Sequence, residues 1–235
     1  MRAATAYHGE MGRLFAAQAT DSAYNAHTER PAMLGLAGDV RGLDVLDLGC
    51  GAGHLAAELL RRGAVRVVGV DGSESLLDAA RDRLADVPAG GRELRLHDLE
   101  EPLPFLPDAS ADLAVLGLVH HHVEARGRLL GEIRRVLRPG GALLLSVTHP
   151  TSDWTHFGGF YFTEDRVDLP IGDGFALTYR RMTLETLLGE LLGAGYALER
   201  LTEPRATEEA ARTDPRRYEK TRRQPMFLCL RLRRP

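Results

Sequence analysis

The sequence predicts an α/β fold in which an open, mostly parallel sheet of seven strands carries helices on both faces. An apolar run at 45–48 breaks into alternating glycines, and a second run, 64–71, ends at Asp71 before another glycine. Leucines at helical spacing follow each run. Buried parallel strands appear as continuous apolar runs joined by helices, so this alternation indicates crossover units and a parallel sheet.

Composition and charge limit the class of protein. Of 235 residues, 44% are hydrophobic, and 30 Lys and Arg face 33 Asp and Glu, giving a net charge of −3. These values favour one domain spanning 1–235 and a small-molecule substrate over nucleic acid. The two cysteines are far apart, and no stretch has the pattern of a signal peptide or a membrane span. We therefore expect a cytoplasmic protein with no membrane partner, and the sequence does not indicate its oligomeric state.

The first 38 residues are predicted to be helical. Apolar side chains at helical spacing between Met11 and Ala19 indicate one amphipathic helix. Pro31 suits the first turn of a second helix that runs to Gly38.

The turn after the first strand is the most informative motif. Gly49, Gly51 and Gly53 alternate there, allowing a sharp turn and close approach of a ligand to the backbone. The spacing departs from a dinucleotide fingerprint, because His54 stands where the last small residue should be. Asp47 would repel a pyrophosphate but suits a cation. A purely structural turn is the alternative interpretation.

Acids also follow the next two strands. Asp71 lies roughly twenty residues past the glycine turn, where such folds hydrogen-bond a ribose diol. An interaction with the dipole of the following helix is the alternative, although Ser73 could cap that helix instead. A third strand, 93–96, ends just before Asp98.

Three adjacent histidines follow the predicted fourth strand, 112–119. Adjacent side chains point in different directions on a strand or a helix, so His120, His121 and His122 are not expected to bind one metal. We expect no metal site. The sequence instead predicts that one of the three imidazoles faces the substrate while its neighbours point elsewhere.

A helix over 124–137 and a fifth strand over 142–147 come next, separated by a Pro-Gly-Gly stop. Regular alternation then stops between Thr151 and Arg181, where half of the Phe, Trp and Tyr residues lie. Long loops in compact domains are usually functional, so 151–181 is predicted to be an inserted lid or pocket wall, with Trp154 and Phe157 contacting the substrate. The alternative is a hairpin that extends the sheet.

The C-terminal part is predicted to complete the sheet. Thr183 is expected to cap a helix over 184–192, and the strands 196–201 and 227–232 follow. A basic stretch over 216–223 is diluted by acids, which favours a solvated loop over an RNA-binding surface.

Two stretches resemble a known family. The stretch 45–53 resembles motif I of the class I S-adenosylmethionine (SAM)-dependent methyltransferases, and 134–144 resembles the segment that follows the motifs of that family. The resemblance covers 43–150, with five elements in the family's order. It implies a Rossmann-like fold, SAM as the cofactor, and methyl transfer to an O, N or C atom of a small acceptor, such as one of natural-product metabolism.

The resemblance also implies roles for single residues. Residues 1–38 would form a helical cap over the cofactor, Asp98 would accept a hydrogen bond from the adenine amino group, and His121 and His149 would lie near the transferred methyl group as candidate bases. The expected cofactor contacts are Tyr24, Asp47, Gly49, Cys50, Gly51, Asp71, Gly72, Asp98, Leu99 and Leu116.

Three alternatives to a small-molecule methyltransferase stay open at the level of sequence. The same cofactor-binding part of the fold could serve an enzyme that methylates RNA, although no added RNA-binding domain or base-flipping loop is evident. The chain could turn SAM to other chemistry, such as cyclisation of its aminobutyrate arm. It could also be a non-catalytic subunit that only binds SAM.

Overall fold

The computed structural model describes residues 7–172 and 175–235. The strands within these ranges are β1 (Asp44–Leu48), β2 (Arg66–Asp71), β3 (Arg92–Leu96), β4 (Ala111–Gly117), β5 (Leu137–Thr148), β6 (Arg166–Gly172), β7 (Phe175–Arg180), β8 (Ala197–Thr202) and β9 (Phe227–Arg233). Seven of them form one sheet in the order β3-β2-β1-β4-β5-β9-β8. The pairs from β3 to β5 are parallel, whereas β9 pairs antiparallel with β5 and β8. The predicted seven-stranded, mostly parallel sheet is confirmed.

Helices cover both faces of this sheet. Those in the described ranges are α1 (Gly9–Asp21), α2 (Arg30–Ala37), α3 (His54–Arg61), α4 (Glu74–Arg83), α5 (Arg126–Val136), α6 (Pro150–Phe157), α7 (Leu184–Gly193), α8 (Ala210–Thr213) and α9 (Pro215–Arg223), and a π-helical turn over Asn25–Glu29 leads into α2. The predicted caps are present: Ser73 accepts from Leu76 N–H, and Thr183 accepts from Thr186 N–H. None of these helices combines the length and the apolar character needed to cross a bilayer.

Alternating side chains of the strands feed two cores. Leu46 and Leu48 of β1 pack with the apolar stripes of α5 and α7 on one face. Val45 packs with α2 and α3 on the other face. This alternation fixes which face each side chain occupies. The strand order reverses between β1 and β4, and the carboxyl ends of these two strands border a crevice for ligands.

The fourth strand ends earlier than predicted. Leu118 has a φ of +57°, a left-handed conformation that cannot continue a strand. The following residues, 120–122, form a 3₁₀ turn. The histidines therefore do not alternate across a sheet.

The segment 151–181 is more regular than its sequence suggests. It contains α6 and a hairpin in which β6 pairs only with β7 among the described strands. The hairpin is a separate two-stranded sheet and does not extend the main one. Residues 1–6 of the predicted N-terminal cap lie outside the described residues.

Candidate active site

A cavity of about 1350 Å³ lies over the carboxyl ends of β1 and β4. Its walls come from the glycine turn (residues 49–53), the loop after β3, the turn that follows β4, the N-terminal segment (residues 9–37) and the hairpin β6–β7. The crevice predicted from the reversal of strand order is thus closed by two peripheral parts of the chain.

The glycine turn gives the cavity a wall of bare backbone. Gly49, Gly51 and Gly53 have φ values of +70°, +54° and +73°. This left-handed conformation is unfavourable for residues that carry a Cβ. A Cβ on Gly49 would lie 2.2 Å from Cγ2 of Val119, whereas a Cβ on Gly51 would meet nothing within 4 Å. Gly49 therefore permits close packing, and Gly51 leaves room for a ligand against the backbone.

Asp47 lies beside this turn as a buried acid that forms no ion pair with any residue the structure describes. It lines the cavity and is only 3% exposed, and its Oδ2 has no hydrogen-bond partner within the described part of the chain. Burial, reinforced by the nearby charges of Asp71 and Glu29, raises the pKa of Asp47 to about 7. A buried acceptor atom without a donor is costly, so this wall favours a ligand that brings positive charge or N–H groups.

Asp71 holds the turn together from below. Its Oδ2 accepts from Gly51 N–H and its Oδ1 accepts from Ser73 N–H, each at 2.8 Å. The side chain does not line the cavity, although the next residue, Gly72, does. Each carboxylate oxygen can accept more than one hydrogen bond, so the ribose contact expected for Asp71 remains a prediction.

The other expected cofactor contacts divide into two groups. The cavity wall includes Tyr24, Cys50, Gly72, Asp98 and Leu99. Leu116 is instead fully buried in the core beneath α5 and does not reach the cavity. Gly117 and Leu118 line the cavity in its place, because the strand ends there and its backbone opens towards the ligand side.

The three histidines point in different directions. His120 is fully buried, and its Nε2 donates to Oε2 of Glu190 at 2.9 Å. His121 lines the cavity as predicted, but His122 lines it too, because residues 120–122 form a turn and not a strand. Burial, reinforced by the two flanking imidazoles, holds the pKa of His121 well below its usual value. His121 is therefore neutral at physiological pH.

His149 lies outside the cavity wall. Its Nδ1 accepts from Thr151 N–H at 3.1 Å, which caps α6, and its Nε2 lies 3.0 Å from Oε1 of Glu203. Both ring nitrogens are therefore engaged, one with the start of α6 and the other with Glu203. The structure thus gives this candidate base a local structural role.

Trp154 and Phe157 also lie outside the wall. The indole of Trp154 packs against the Arg181 guanidinium at 4.7 Å and donates to the carbonyl of Phe160. Phe157 lies 6.3 Å from the ring of Tyr179. The segment reaches the cavity through other residues, which are Arg166, Leu169, Pro170, Leu177, Thr178 and Tyr179. Sequence spacing alone could not indicate which aromatic residues of this segment face inwards.

Tyr179 connects the hairpin to the end of β5. Its hydroxyl donates to Oδ1 of Asp153 at 2.7 Å, and Thr148 Oγ1 donates to Oδ2 of the same carboxylate at 3.1 Å. Burial raises the pKa of Asp153 to about 6. These bonds hold the Tyr179 ring with its centroid 5.0 Å from that of His121.

Glu29 is a cavity residue that sequence reasoning missed. It is 8% exposed, lines the cavity, and accepts from Ser146 Oγ at 2.7 Å. A signal was present in the sequence: Glu29 shares a helical face with Met33 and Leu36 at i, i+4 and i+7, where an acid is out of place.

Comparisons with known proteins match this geometry. The Methyltransferase domain family matches residues 46–145, from β1 through most of β5. The crystal structure of an S-adenosylmethionine dependent methyltransferase from Mesorhizobium loti is 28% identical, with a TM-score of 0.71 over 92% of this chain and 100% of that one. Residues 46–145 thus form a methyltransferase domain, and the chain as a whole is similar to SAM-dependent methyltransferases. Strand order, glycine turn and overall extent all agree with this family.

Curated relatives of this methyltransferase match shorter stretches. A demethylmenaquinone methyltransferase of Symbiobacterium thermophilum is 36% identical over 139 residues, which are 57% of this chain and 53% of that one. An uncharacterised protein of Haemophilus influenzae is 29% identical over 79% of each chain. The chain thus spans about half the length of the named methyltransferase that it matches.

The cavity of this methyltransferase fits SAM, the cofactor of the family. SAM carries a sulfonium and an α-ammonium group but no phosphate, in keeping with acids in place of a phosphate-binding loop. The orphaned Oδ2 of Asp47 and the open backbone at Gly51 supply an acceptor and a close-approach surface. Asp98 and Leu99 line the same cavity at the end of β3.

Proposed function

We propose that this enzyme transfers the methyl group of SAM to an O, N or C atom of a small acceptor with an apolar, ring-bearing body. One observation carries the proposal: a single cavity runs from the glycine turn to the hairpin. Its volume of about 1350 Å³ exceeds the ~300–1,000 Å³ typical of a pocket for one ligand. There is room for cofactor and acceptor side by side.

The cofactor half of the proposal rests on the sheet. Asp47, the glycine turn, Asp98 and Leu99 would bind SAM, which supplies an electrophilic methyl carbon when bound. Asp71 would orient the turn through its two backbone hydrogen bonds and accept from the ribose. Backbone groups fixed in this way lose little freedom on binding, which favours affinity.

The acceptor half rests on the hairpin. Leu169, Leu177 and Tyr179 provide apolar and aromatic area beside His121 and His122. Such walls favour a planar apolar group over a charged or highly solvated one. The name of the demethylmenaquinone methyltransferase relative supports an apolar small-molecule acceptor.

His121 would act on the acceptor as a neutral hydrogen-bonding group. Because its pKa lies well below the ordinary value, it would orient an acceptor hydroxyl or amine by accepting its proton in a hydrogen bond. Alignment and exclusion of water by the two closing walls would supply most of the rate enhancement. Full transfer of the proton to His121 would occur only as the acceptor becomes acidic during methylation.

The acceptor class can be tested with methyl-labelled SAM. Purified enzyme is incubated with a pool of ring-bearing small molecules, with total RNA, or alone, and all products are identified by mass spectrometry. We expect a labelled small molecule in the first reaction and unmodified RNA in the second. Labelled RNA, or SAM breakdown without an acceptor, would overturn the proposal in favour of the other SAM-based activities.

A further inference from the structure

The N-terminal segment brings an acid to the cofactor half of the cavity from far along the chain. Glu29 is the last residue of the π-helical turn before α2. A Cβ on Gly117 would lie 3.3 Å from its Oε1, so the carboxylate sits against the end of β4. Glu29 therefore lines the same cavity as Asp47 and the glycine turn.

One oxygen of Glu29 is fixed by a directed hydrogen bond. Ser146 Oγ accepts from Leu118 N–H at 3.0 Å and donates its own proton to Oε1 of Glu29 at 2.7 Å. The residues that the structure describes donate no hydrogen bond to Oε2. Glu29 therefore presents a positioned carboxylate with one oxygen left for a ligand.

The charges around Glu29 leave an excess of acid. Asp47 lies close enough for the negative charge of Glu29 to raise the pKa of its carboxyl. Arg30 is the neighbouring cation, but its guanidinium donates to the carbonyl of Ala19 at 2.8 Å. Both oxygens of Asp71 already receive backbone N–H groups. Among these acids, the oxygens that receive no hydrogen bond from the described residues thus belong to Asp47 and Glu29.

We propose that Glu29, supplied by the N-terminal segment, pairs with Asp47 to seat the α-ammonium group of SAM. An ammonium brings both a positive charge and three N–H donors, which is what two carboxylates with unfilled oxygens require. The sulfonium brings charge but no donor. Because Glu29 belongs to the segment that closes the cavity, cofactor binding stabilises the closed position of that segment.

The proposal concerns the cofactor alone and is tested by calorimetry without any acceptor. The ligands are S-adenosylhomocysteine (SAH) and the SAH analogue in which hydrogen replaces the α-amino group. Glu29→Gln is expected to weaken SAH binding about 10- to 100-fold, the effect of losing a charged hydrogen bond. Binding of the deaminated analogue should be the same in both proteins.

The control variant is Glu10→Gln, which alters an exposed glutamate of α1 and should bind both ligands as the wild type does. Thermal unfolding checks that each variant is folded. If Glu29→Gln unfolds, Ser146→Ala is used instead, because it keeps the Glu29 carboxylate but removes the hydrogen bond that positions it. This variant should bind SAH more weakly than the wild type does and should bind the deaminated analogue equally well. Equal weakening of both ligands, or no weakening of either, would overturn the assignment of Glu29, whereas failure to find an acceptor would bear only on the proposed function.

Discussion

At the scale of single residues, the site is organised by buried carboxyl groups to which the described residues supply too few hydrogen-bond donors. Asp47 has an orphaned oxygen, and burial raises its pKa to about 7. Such an arrangement is unfavourable in the free protein and becomes favourable when a cation binds. The buried acids therefore lower the stability of the free protein and raise its affinity for a cationic ligand.

The raised pKa of Asp47 predicts that the stability of the protein depends on pH. The pKa of its carboxyl is about 7 in the folded protein and about 3.9 when unfolded, so the folded state holds an extra proton between these values. Its contribution to the free energy of unfolding then falls by about 1.4 kcal/mol per pH unit as pH rises from about 4 to about 7. At pH values above 7, Asp47→Asn should have a higher midpoint temperature of unfolding than the wild type. Near pH 4 the two proteins should unfold at the same temperature. A uniform shift at every pH, measured by thermal unfolding of the ligand-free proteins, would contradict this account.

A second prediction at this scale concerns His121. We expect His121→Ala to lower the single-turnover methylation rate by about 10²–10⁴ while leaving SAH affinity unchanged. In the wild type, the acidic limb of the pH–rate profile should lie well below pH 6.5, because burial holds down the pKa of His121.

His149→Ala is the matched control, since that ring lies outside the cavity wall, and it should retain the wild-type rate. Single-turnover rates measured across pH decide the matter. An unchanged rate in His121→Ala would show that alignment alone carries the reaction.

At the scale of elements, the hairpin β6–β7 decides what the acceptor meets. Its position depends on the hydrogen bond from Tyr179 to Asp153 at 2.7 Å, which leaves a buried carboxylate oxygen unsatisfied if the hydroxyl is lost. Tyr179→Phe should therefore loosen the hairpin and raise the KM for the acceptor several-fold, with SAH affinity unchanged.

Trp154→Phe tests the same segment from outside the cavity, where its indole packs on Arg181. We expect no change in acceptor KM from this substitution. Steady-state kinetics with each variant provides the measurement. If Trp154→Phe raised KM more than Tyr179→Phe did, the acceptor would contact α6 instead of the hairpin.

The sequence predicts the central strands well because their signals are local. The strands β1, β2, β4 and β5 each contain a short, mostly apolar run near glycine, proline or acids, and burial on both faces favours the centre of the sheet for such runs. The hairpin and α6 lack such periodicity. Their aromatic residues pack on one another and on Arg181, and these contacts are set by the tertiary structure.

The candidate site shows the same division. Asp47 and the glycine turn are adjacent in sequence, so their joint role can be inferred. Glu29 meets Ser146 across 117 positions, a contact that only the folded sheet reveals. His149 follows β5 at a position typical of a catalytic residue, but the turn into α6 directs its ring into a cap.

At the scale of the whole molecule, the cavity is assembled from distant parts of the chain. The parallel strands deliver the glycine turn and the end of β4 to one edge, while the N-terminal segment and the hairpin close over that edge. Cofactor and acceptor therefore meet between the N-terminal segment and the hairpin, neither of which belongs to the main sheet. The central claim is that the cofactor lies on the sheet side and the acceptor on the hairpin side.

A crystal structure of the protein with SAH tests this claim most directly. The account predicts that the ligand contacts the glycine turn, that its α-amino group lies within hydrogen-bonding distance of Asp47 and Glu29, and that its sulfur faces His121 and the hairpin. A ligand bound with its sulfur facing away from the hairpin, or bound outside this cavity, would contradict it.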